Sequence, residues 1–438
     1  MLIFQWCKTQ VLCFMVLSYV GLIYIKDGRH LNRIMGRSNC NVLFDSLLVF
    51  ANIALMFDAV TACTVNMTDD VPRMLNLCLH FGMYVSYEIF VCLLFWYWVS
   101  VTVGIPKGRL YELLGFLPPA LVCVFTGYLM PMTEFLIGEH SNYSMGPAVY
   151  VCYACIGVYC ILTIGMIIIN RRLIPAKKRN NLAATVLFIA AIVTLQGILP
   201  ELLLSGMAAV MIIVSIYLTM ENPSIKGLEY YQEEMVMGFA TLVENKDDST
   251  GGHIRRSSEY AKLIAENLMK KPKYKNIITR DYLNNLIQAA PMHDIGKIGI
   301  PDSILQKPGR LTDEEFEIMK EHAAKGGKII EDTFGNLFNM DYENIAYNVA
   351  RHHHEKWNGR GYPDGLAGEY IPLCARIMAV ADVFDAVSTK RCYRDAMELD
   401  ECYDIIIKGR GTDFDPDIAD AFLEDRDAVE AILHRNRH

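Results

Sequence analysis

A chain that repeats apolar runs of about twenty residues has few folds open to it. In a bilayer every backbone N–H and C=O must be satisfied within the spanning segment, so such runs fold as helices. Seven of them fill the first half of this sequence, near 9–25, 42–63, 75–103, 111–131, 148–169, 182–203 and 206–220. They raise the hydrophobic share of the 438 residues to 53%, above the range of ordinary soluble domains. The first run reads as a membrane helix rather than a cleaved signal peptide. No small-residue cleavage site follows it, and the next apolar run begins soon after.

Lysine and arginine set the orientation. Lys26, Arg29, Arg33 and Arg37 follow the first run, Lys107 and Arg109 the third, and Arg171, Arg172, Lys177, Lys178 and Arg179 the fifth. The alternate loops hold Asp69, Asp70, Glu134, Glu139 and Glu201, with Arg73 as their only base. The positive-inside rule then places the N-terminus outside, the polar segment Gly138–Tyr143 outside, and everything after residue 220 in the cytoplasm. This is the topology of a multi-pass protein of the cytoplasmic (inner) membrane, in contact with lipid. Asp45, Asp58, His80 and Glu88 fall inside the apolar runs, where ionisable groups are costly. Two readings fit them: ligand or relay groups, and residues that hydrogen-bond between helices. The sequence names no signal for this module.

A net charge of −8 argues against a general DNA or RNA binder, though not against a small nucleotide held locally. Ten of the 13 cysteines precede residue 161, inside the apolar runs, and read as small packing residues rather than a disulfide framework. Cys152 and Cys155 have redox spacing, but their setting favours helix packing.

From Glu221 the composition turns polar, and Asn222-Pro223-Ser224 closes the last apolar helix. The sequence divides into a membrane module over 1–220, a linker and first helix over 221–246, and a second domain over 229–438. In the linker helix Tyr231, Met235, Phe239 and Leu242 have near-heptad spacing. Pairing with its copy in a homodimer and packing on its own domain both fit that stripe. Farther on, helical stripes recur: Leu283, Leu286, Ile287 and Ala290; Ile345 and Val349; Ile377, Val380, Ala381, Phe384 and Val387. Thr312 and Glu315 have capping-box spacing ahead of Phe316 and Met319. No run alternates as a strand, so the fold class is all-α.

Chemistry concentrates in Pro291-Met292-His293-Asp294-Ile295-Gly296-Lys297. An imidazole ligates one metal, a carboxylate can bridge two, and an ammonium can hold a phosphate oxygen or orient an attacking water. His253, His293, Asp294, His322, His353, His354 and Asp382 lie on helices or near their ends. The histidines between 253 and 354 all belong to this set except His352. Imidazoles and carboxylates without thiolates suit iron or manganese and disfavour a structural cysteine-zinc site. The loop from Glu355 to Gly365 follows directly; Tyr362 could stack on a base and Arg360 could face a phosphate. Lys390, Arg391 and Arg394 form a basic group after the Asp382 helix, either a solvated face or part of the site.

Across roughly 229–425 the sequence resembles the HD-GYP phosphodiesterases. The resemblance rests on Asp247 with Thr250-Gly251-Gly252-His253, His293-Asp294-Ile295-Gly296-Lys297, Ile300-Pro301-Asp302, and Lys307-Pro308-Gly309. It continues through His322, His353-His354-Glu355, Gly361-Tyr362-Pro363, Ala381-Asp382-Val383-Phe384-Asp385-Ala386, Arg391 to Arg394, and Phe414-Asp415-Pro416. It implies an all-helical HD domain that hydrolyses cyclic di-GMP with two divalent metal ions, iron or manganese. It implies that His253, His293, Asp294 and Asp382 hold one metal, and that His322, His353, His354 and the bridging Asp294 hold the other. Tyr362, Arg391 and Arg394 would contact substrate, with the catalytic pair Asp294 and Lys297 at the scissile phosphate. Two departures stand out. Cys392 replaces a usual proline, and Ser249 stands where many members have Tyr and some Glu. Members with Glu there can hold a third metal and carry hydrolysis on to GMP, so linear pGpG is the expected product here. The alternatives are a non-catalytic cyclic-dinucleotide receptor and a hydrolase of cyclic di-AMP or cyclic GMP-AMP.

Overall fold

The computed structural model describes residues 2–35, 39–67, 69–104, 109–138, 141–171, 174–202, 204–247, 252–334, 340–389 and 396–435. They form two compact units, Met1–Glu229 and Tyr230–His438.

The first unit contains α1 (Leu2–Met35), α2 (Asn39–Thr64), α3 (Arg73–Thr102), α4 (Arg109–Leu129), α5 (Pro147–Ile169), α6 (Ala176–Ile198) and α7 (Ser205–Ile216), the last running into a π-turn at Tyr217–Glu221. Among the described residues, six helical stretches are long and apolar enough to cross a membrane: Cys7–Lys26, Asn39–Thr64, Arg73–Thr102, Pro147–Ile169, Lys178–Ile198 and the run beginning at Ser205. The fourth expected span coincides with α4, whose described apolar part, Pro119–Met132, is shorter. Many large apolar side chains on these helices stay exposed, including Leu22, Val124, Ile161 and Leu187. That is the surface expected of helices whose outer faces meet lipid tails rather than water.

The fold is helical as expected apart from one pair of short strands among the described residues: β1 (Glu134–Leu136) pairs antiparallel with β2 (Tyr143–Met145) between α4 and α5. Three-residue strands are too short to show a period-two pattern, and their stability comes from pairing across the turn. Glu139 and His140 lie outside the described residues, as do Arg37, Lys107 and Arg172.

The ionisable groups inside the apolar runs differ in role. The Nδ1 of His80 pairs with the Asn76 carbonyl at 2.9 Å, and its ring packs 5.0 Å from Phe135. Glu88 accepts from Thr126 at 2.7 Å and from Cys152 at 3.1 Å, which ties α3 to α4 and α5. Asp58 accepts from the Tyr87 hydroxyl at 3.2 Å. Asp45 is partly buried.

α8 (Pro223–Glu244) starts at a proline, and Asn222 before it has extended ψ, as the ring demands. The second unit then adds α9 (His253–Lys270), α10 (Arg280–Ala289), α11 (Asp302–Leu305), α12 (Asp313–Phe334), α13 (Met340–His352), α14 (Leu373–Ser388), α15 (Leu399–Gly409), α16 (Pro416–Leu423) and α17 (Arg426–Arg435). Its core is the sum of the apolar stripes. Leu283, Leu286, Val349, Ile377, Val380 and Phe384 are all fully enclosed. Phe384 sits at their centre, 5.4 Å edge-on from Tyr260 and 4.8 Å from Phe422. Burying each such ring contributes on the order of 1.5–3 kcal/mol, which clamps α9, α14 and α16 together beneath the histidines. The capping box at the start of α12 closes both ways: Thr312 N–H donates to Glu315 Oε2 at 2.7 Å, and Glu315 N–H to Thr312 Oγ1 at 3.3 Å.

Candidate metal centre

Five elements deliver the site residues. His253 is the first residue of α9, and Asp382 lies within α14. His322 is in α12, and His353 and His354 directly follow α13. His293 and Asp294 sit between two short 3-10 turns, Ala290–Met292 and Ile295–Gly299. The second turn lies on α12 with no gap. A Cβ on Gly296 would run into the His322 carbonyl oxygen and come within 2.5 Å of the Gly326 nitrogen. Only glycine permits that approach, and it brings Asp294 to His322.

Asp294 stands between two groups of ligand atoms: His322, His353 and His354 on one side, His253 and His293 on the other. Its Oδ1 is 3.5 Å from His322 Nε2 and 3.8 Å from His353 Nε2, while its Oδ2 is 3.5 Å from His293 Nε2. Asp382 Oδ1 is 3.4 Å from His253 Nε2 and 3.9 Å from His293 Nε2. The structure thus brings all seven sequence-derived ligand candidates together.

The imidazoles are oriented for ligation. Nδ1 of His293, His322 and His353 each lies within 3.0 Å of a backbone carbonyl, those of Ala290, Met319 and Val349. A carbonyl only accepts, so each Nδ1 carries the proton and each Nε2 presents a lone pair. Among the described residues, His322 Nε2 and His353 Nε2 are buried with no hydrogen-bond partner. Nδ1 of His253 is 2.8 Å from Asp385, so in the neutral ring its Nε2 also presents a lone pair, 3.2 Å from that of His293. Buried acceptors that face one another beside carboxylates are costly unless a cation lies among them. The donor set therefore fits metal.

Charge in the centre follows the same logic. Burial pushes the Asp294 carboxyl up, but Lys297 and the surrounding imidazoles hold it well below the usual carboxylate range. Asp382 is largely desolvated too, yet His293, His253 and His354 hold it low. Desolvation lowers His322, lowers His353 strongly, and with the neighbouring His322 charge brings His354 to about 3. These three imidazoles are neutral near pH 7, which ligation requires. His253 differs. Burial opposes its charge, yet the Asp385 hydrogen bond and nearby carboxylates lift it above the ordinary value.

Asp385 is the residue that sequence reading passed over as part of a motif. It is fully buried, accepts from Arg256 Nε at 2.6 Å and Nη2 at 3.0 Å, and orients the His253 ring. Its spacing of three from Asp382 on one helix was the available signal. Glu244 adds a second anchor, accepting from the His253 backbone N–H at 3.0 Å.

Lys297 Nζ lies 2.8 Å from Asp294 Oδ2. Tyr362 stacks at 4.8 Å on His354, and the bond to Pro363 is cis. Its loop is tied to the body by buried Glu355, which accepts from Asp364 N–H at 2.7 Å and Leu366 N–H at 3.0 Å. At Gly361 the chain passes so near the Glu355 backbone that a Cβ would overlap it. Asp364 in turn holds Arg351, at 2.8 Å from Nε, and His352 Nε2 at 2.9 Å. His352 is therefore an anchor of the loop. Asp415 caps α16 through the Asp417 N–H and pairs with Arg376 at 2.6 Å, so the Phe414-Asp415-Pro416 motif serves structure. Arg360 donates its backbone N–H to Asn358 Oδ1 in the loop turn. Arg391 and Arg394, with Lys390 and Cys392, lie outside the described residues, and so does Ser249.

A sequence comparison locates this arrangement among known proteins: residues 239–418 match the family model described as the HD domain. The chain is 43% identical over 218 residues to a cyclic di-GMP phosphodiesterase of Vibrio cholerae, covering 48% of this chain and 44% of that protein. It is 39% identical over 209 residues to a cyclic di-GMP phosphodiesterase response regulator of Xanthomonas campestris, covering 48% and 52%. It is also 35% identical over 219 residues to a 3'3'-cGAMP-specific phosphodiesterase of Vibrio cholerae, covering 50% and 40%. The chain spans about half the length of these curated relatives, so the likeness concerns one HD domain rather than whole proteins.

Proposed function

We propose that this chain is a membrane-bound, metal-dependent phosphodiesterase that hydrolyses cyclic di-GMP, with linear pGpG as the main product. The observation that carries the proposal is Asp294 standing between two histidine groups whose buried Nε2 atoms face it. His253, His293, Asp294 and Asp382 would hold one divalent metal, and Asp294, His322, His353 and His354 a second, iron or manganese by donor type. Bound there, the pair would neutralise a phosphodiester and activate water.

The protein's own groups do the rest. Asp294 is charged throughout the physiological range, so it can bridge. Lys297 lies at its edge and would shift to a non-bridging phosphate oxygen, offsetting charge as it develops. Tyr362, held over His354 by the loop, offers a face for a guanine, and Arg391 and Arg394 would meet phosphate. Ser249 offers a neutral hydroxyl where a third cation would need a carboxylate, which favours stopping at pGpG. Six apolar stretches, the shorter apolar helix Pro119–Met132, and the lysine and arginine distribution support a seven-span module in the cytoplasmic membrane, with the N-terminus outside and the HD domain in the cytoplasm.

Relatives named as 3'3'-cGAMP-specific favour a second reading, in which the substrate is another cyclic dinucleotide. The test is anaerobic loading of the purified chain with iron or manganese, then incubation with cyclic di-GMP, cyclic GMP-AMP and cyclic di-AMP and identification of products. The expected result is fastest consumption of cyclic di-GMP with accumulation of pGpG. Faster turnover of a different dinucleotide moves the assignment to it. Tight binding of all three without hydrolysis makes the domain a receptor instead.

A further inference from the structure

We propose that the membrane unit contains a binding site for a small amphipathic molecule: an apolar body of about benzene size carrying one hydrogen-bond donor. The site is a cavity of about 130 Å³ within the first unit. A dry apolar cavity of about 150 Å³ accepts benzene, so this one suits a ligand of a single ring.

The cavity is two-faced. Asp58 on α2, Tyr87 on α3, Gln196 on α6 and Ser205 on α7 line it. Asp58 is near the end of α2, Gln196 near the end of α6, and Ser205 opens α7. These positions place the polar groups at the end of the bundle that carries the β1–β2 hairpin, whose Tyr143 and Ser144 also line the cavity. Leu94, Ile156, Ile189 and Ala209 line it farther along their helices and are apolar. A ligand seated here would put its ring among the latter and its polar group at the former.

Acceptor chemistry fixes the polar group. Asp58 is 1% exposed and accepts from the Tyr87 hydroxyl and the Gly206 backbone N–H. A carboxyl group has capacity for further hydrogen bonds, and among the described residues no lysine or arginine lines the cavity to claim it. A donor is favoured, an ammonium above a hydroxyl because it would also supply the counter-cation that the buried carboxyl lacks, and an anion is disfavoured. This inference stands apart from the phosphodiesterase proposal, and its test reads binding alone.

The full chain in lipid nanodiscs is dialysed against radiolabelled benzylamine, phenol, toluene and benzoate, with empty nanodiscs subtracting lipid partition. Saturable binding of benzylamine and phenol is expected, with toluene and benzoate weaker by about tenfold or more. Asp58→Asn should weaken benzylamine by about tenfold and phenol less. Ala209→Phe, which fills the cavity, should abolish saturable binding of every probe. Ile156→Phe fills it from α5 and serves if the first variant fails to elute as a monodisperse species. No saturable binding of any probe overturns the site. Equal affinity for toluene and benzylamine overturns the role of Asp58, and binding that survives both filled variants places the probes elsewhere and overturns the assignment.

Discussion

At the scale of single residues, Asp294 and Lys297 are three positions apart and touch, yet their substitutions should differ. Asp294 faces both histidine groups, so Asp294→Ala should lower metal content at both sites and abolish hydrolysis. Lys297 offers an ammonium, which ligates nothing, so Lys297→Ala should leave metal content mostly intact while turnover falls, by about a hundredfold if one charge-stabilising contact is lost. Metal analysis beside steady-state rates separates them; parallel metal loss in both variants would contradict the division of roles. The depressed imidazoles give a pH prediction for the metal-free protein. His354 falls from an unfolded value near 6.5 to about 3, and His322 and His353 shift the same way. A group whose folded value is lowered contributes stability above its unfolded value and loses it as pH falls. The raised His253 works in the opposite sense but stands alone against three. The urea midpoint of the metal-free HD domain, read by pulse proteolysis of the full chain, should therefore drop steadily from pH 6.5 toward pH 3. A midpoint that rises on acidification refutes this.

At the scale of elements, the turn Ile295–Gly299 owes its place to close backbone packing against α12. Gly296→Ala adds one methyl group where the His322 carbonyl already lies, and overpacking of this kind costs about 1–3 kcal/mol. The turn would lift, and Asp294 would leave His322. The expected signature is metal content that falls while the helical circular dichroism stays near wild type; normal metal content would show that the turn tolerates the methyl. α8 carries a different kind of contact. Tyr231, Met235, Phe239 and Leu242 are 55%, 60%, 55% and 68% exposed, and their spacing approximates the seam of a two-stranded coil. A second copy of this helix is the occupant such spacing fits. Met235→Cys should cross-link to a dimer in membranes under mild oxidation, while a cysteine at Glu234, off the seam, should not. Equal cross-linking at both positions would leave the stripe without a partner.

At the scale of the whole molecule, the prediction concerns sidedness. In the proposed topology the basic residues of alternate loops would place the chain after residue 220 on the side where a cytoplasmic nucleotide is found. A reporter fused at the C-terminus should be active only inside, and one inserted in the 132–147 connection only outside. The reverse pattern would overturn both the orientation and access to the proposed substrate.

Much of this protein is local and so is legible in its sequence. Apolar runs long enough for a bilayer, helical stripes such as Ile377–Val387, the Thr312–Glu315 cap, and the residue types of the ligand set all depend on neighbours within a few turns. Tertiary structure decided what depends on distant partners. Asp385 meets Arg256 across 129 positions and His253 across 132, so its spacing from Asp382 marks a shared helix face but not these partners. The three-residue strands exist only as a pair. The orphaned nitrogens of His322 and His353 become a site only because Gly296 lets Asp294 come between the histidine groups. The Asp58 cavity forms where α2, α3, α5, α6 and α7 meet, and no stretch of any one helix encodes it. Local periodicity selects helices and their buried faces; which side chains then share a few ångströms is set by how those faces pack.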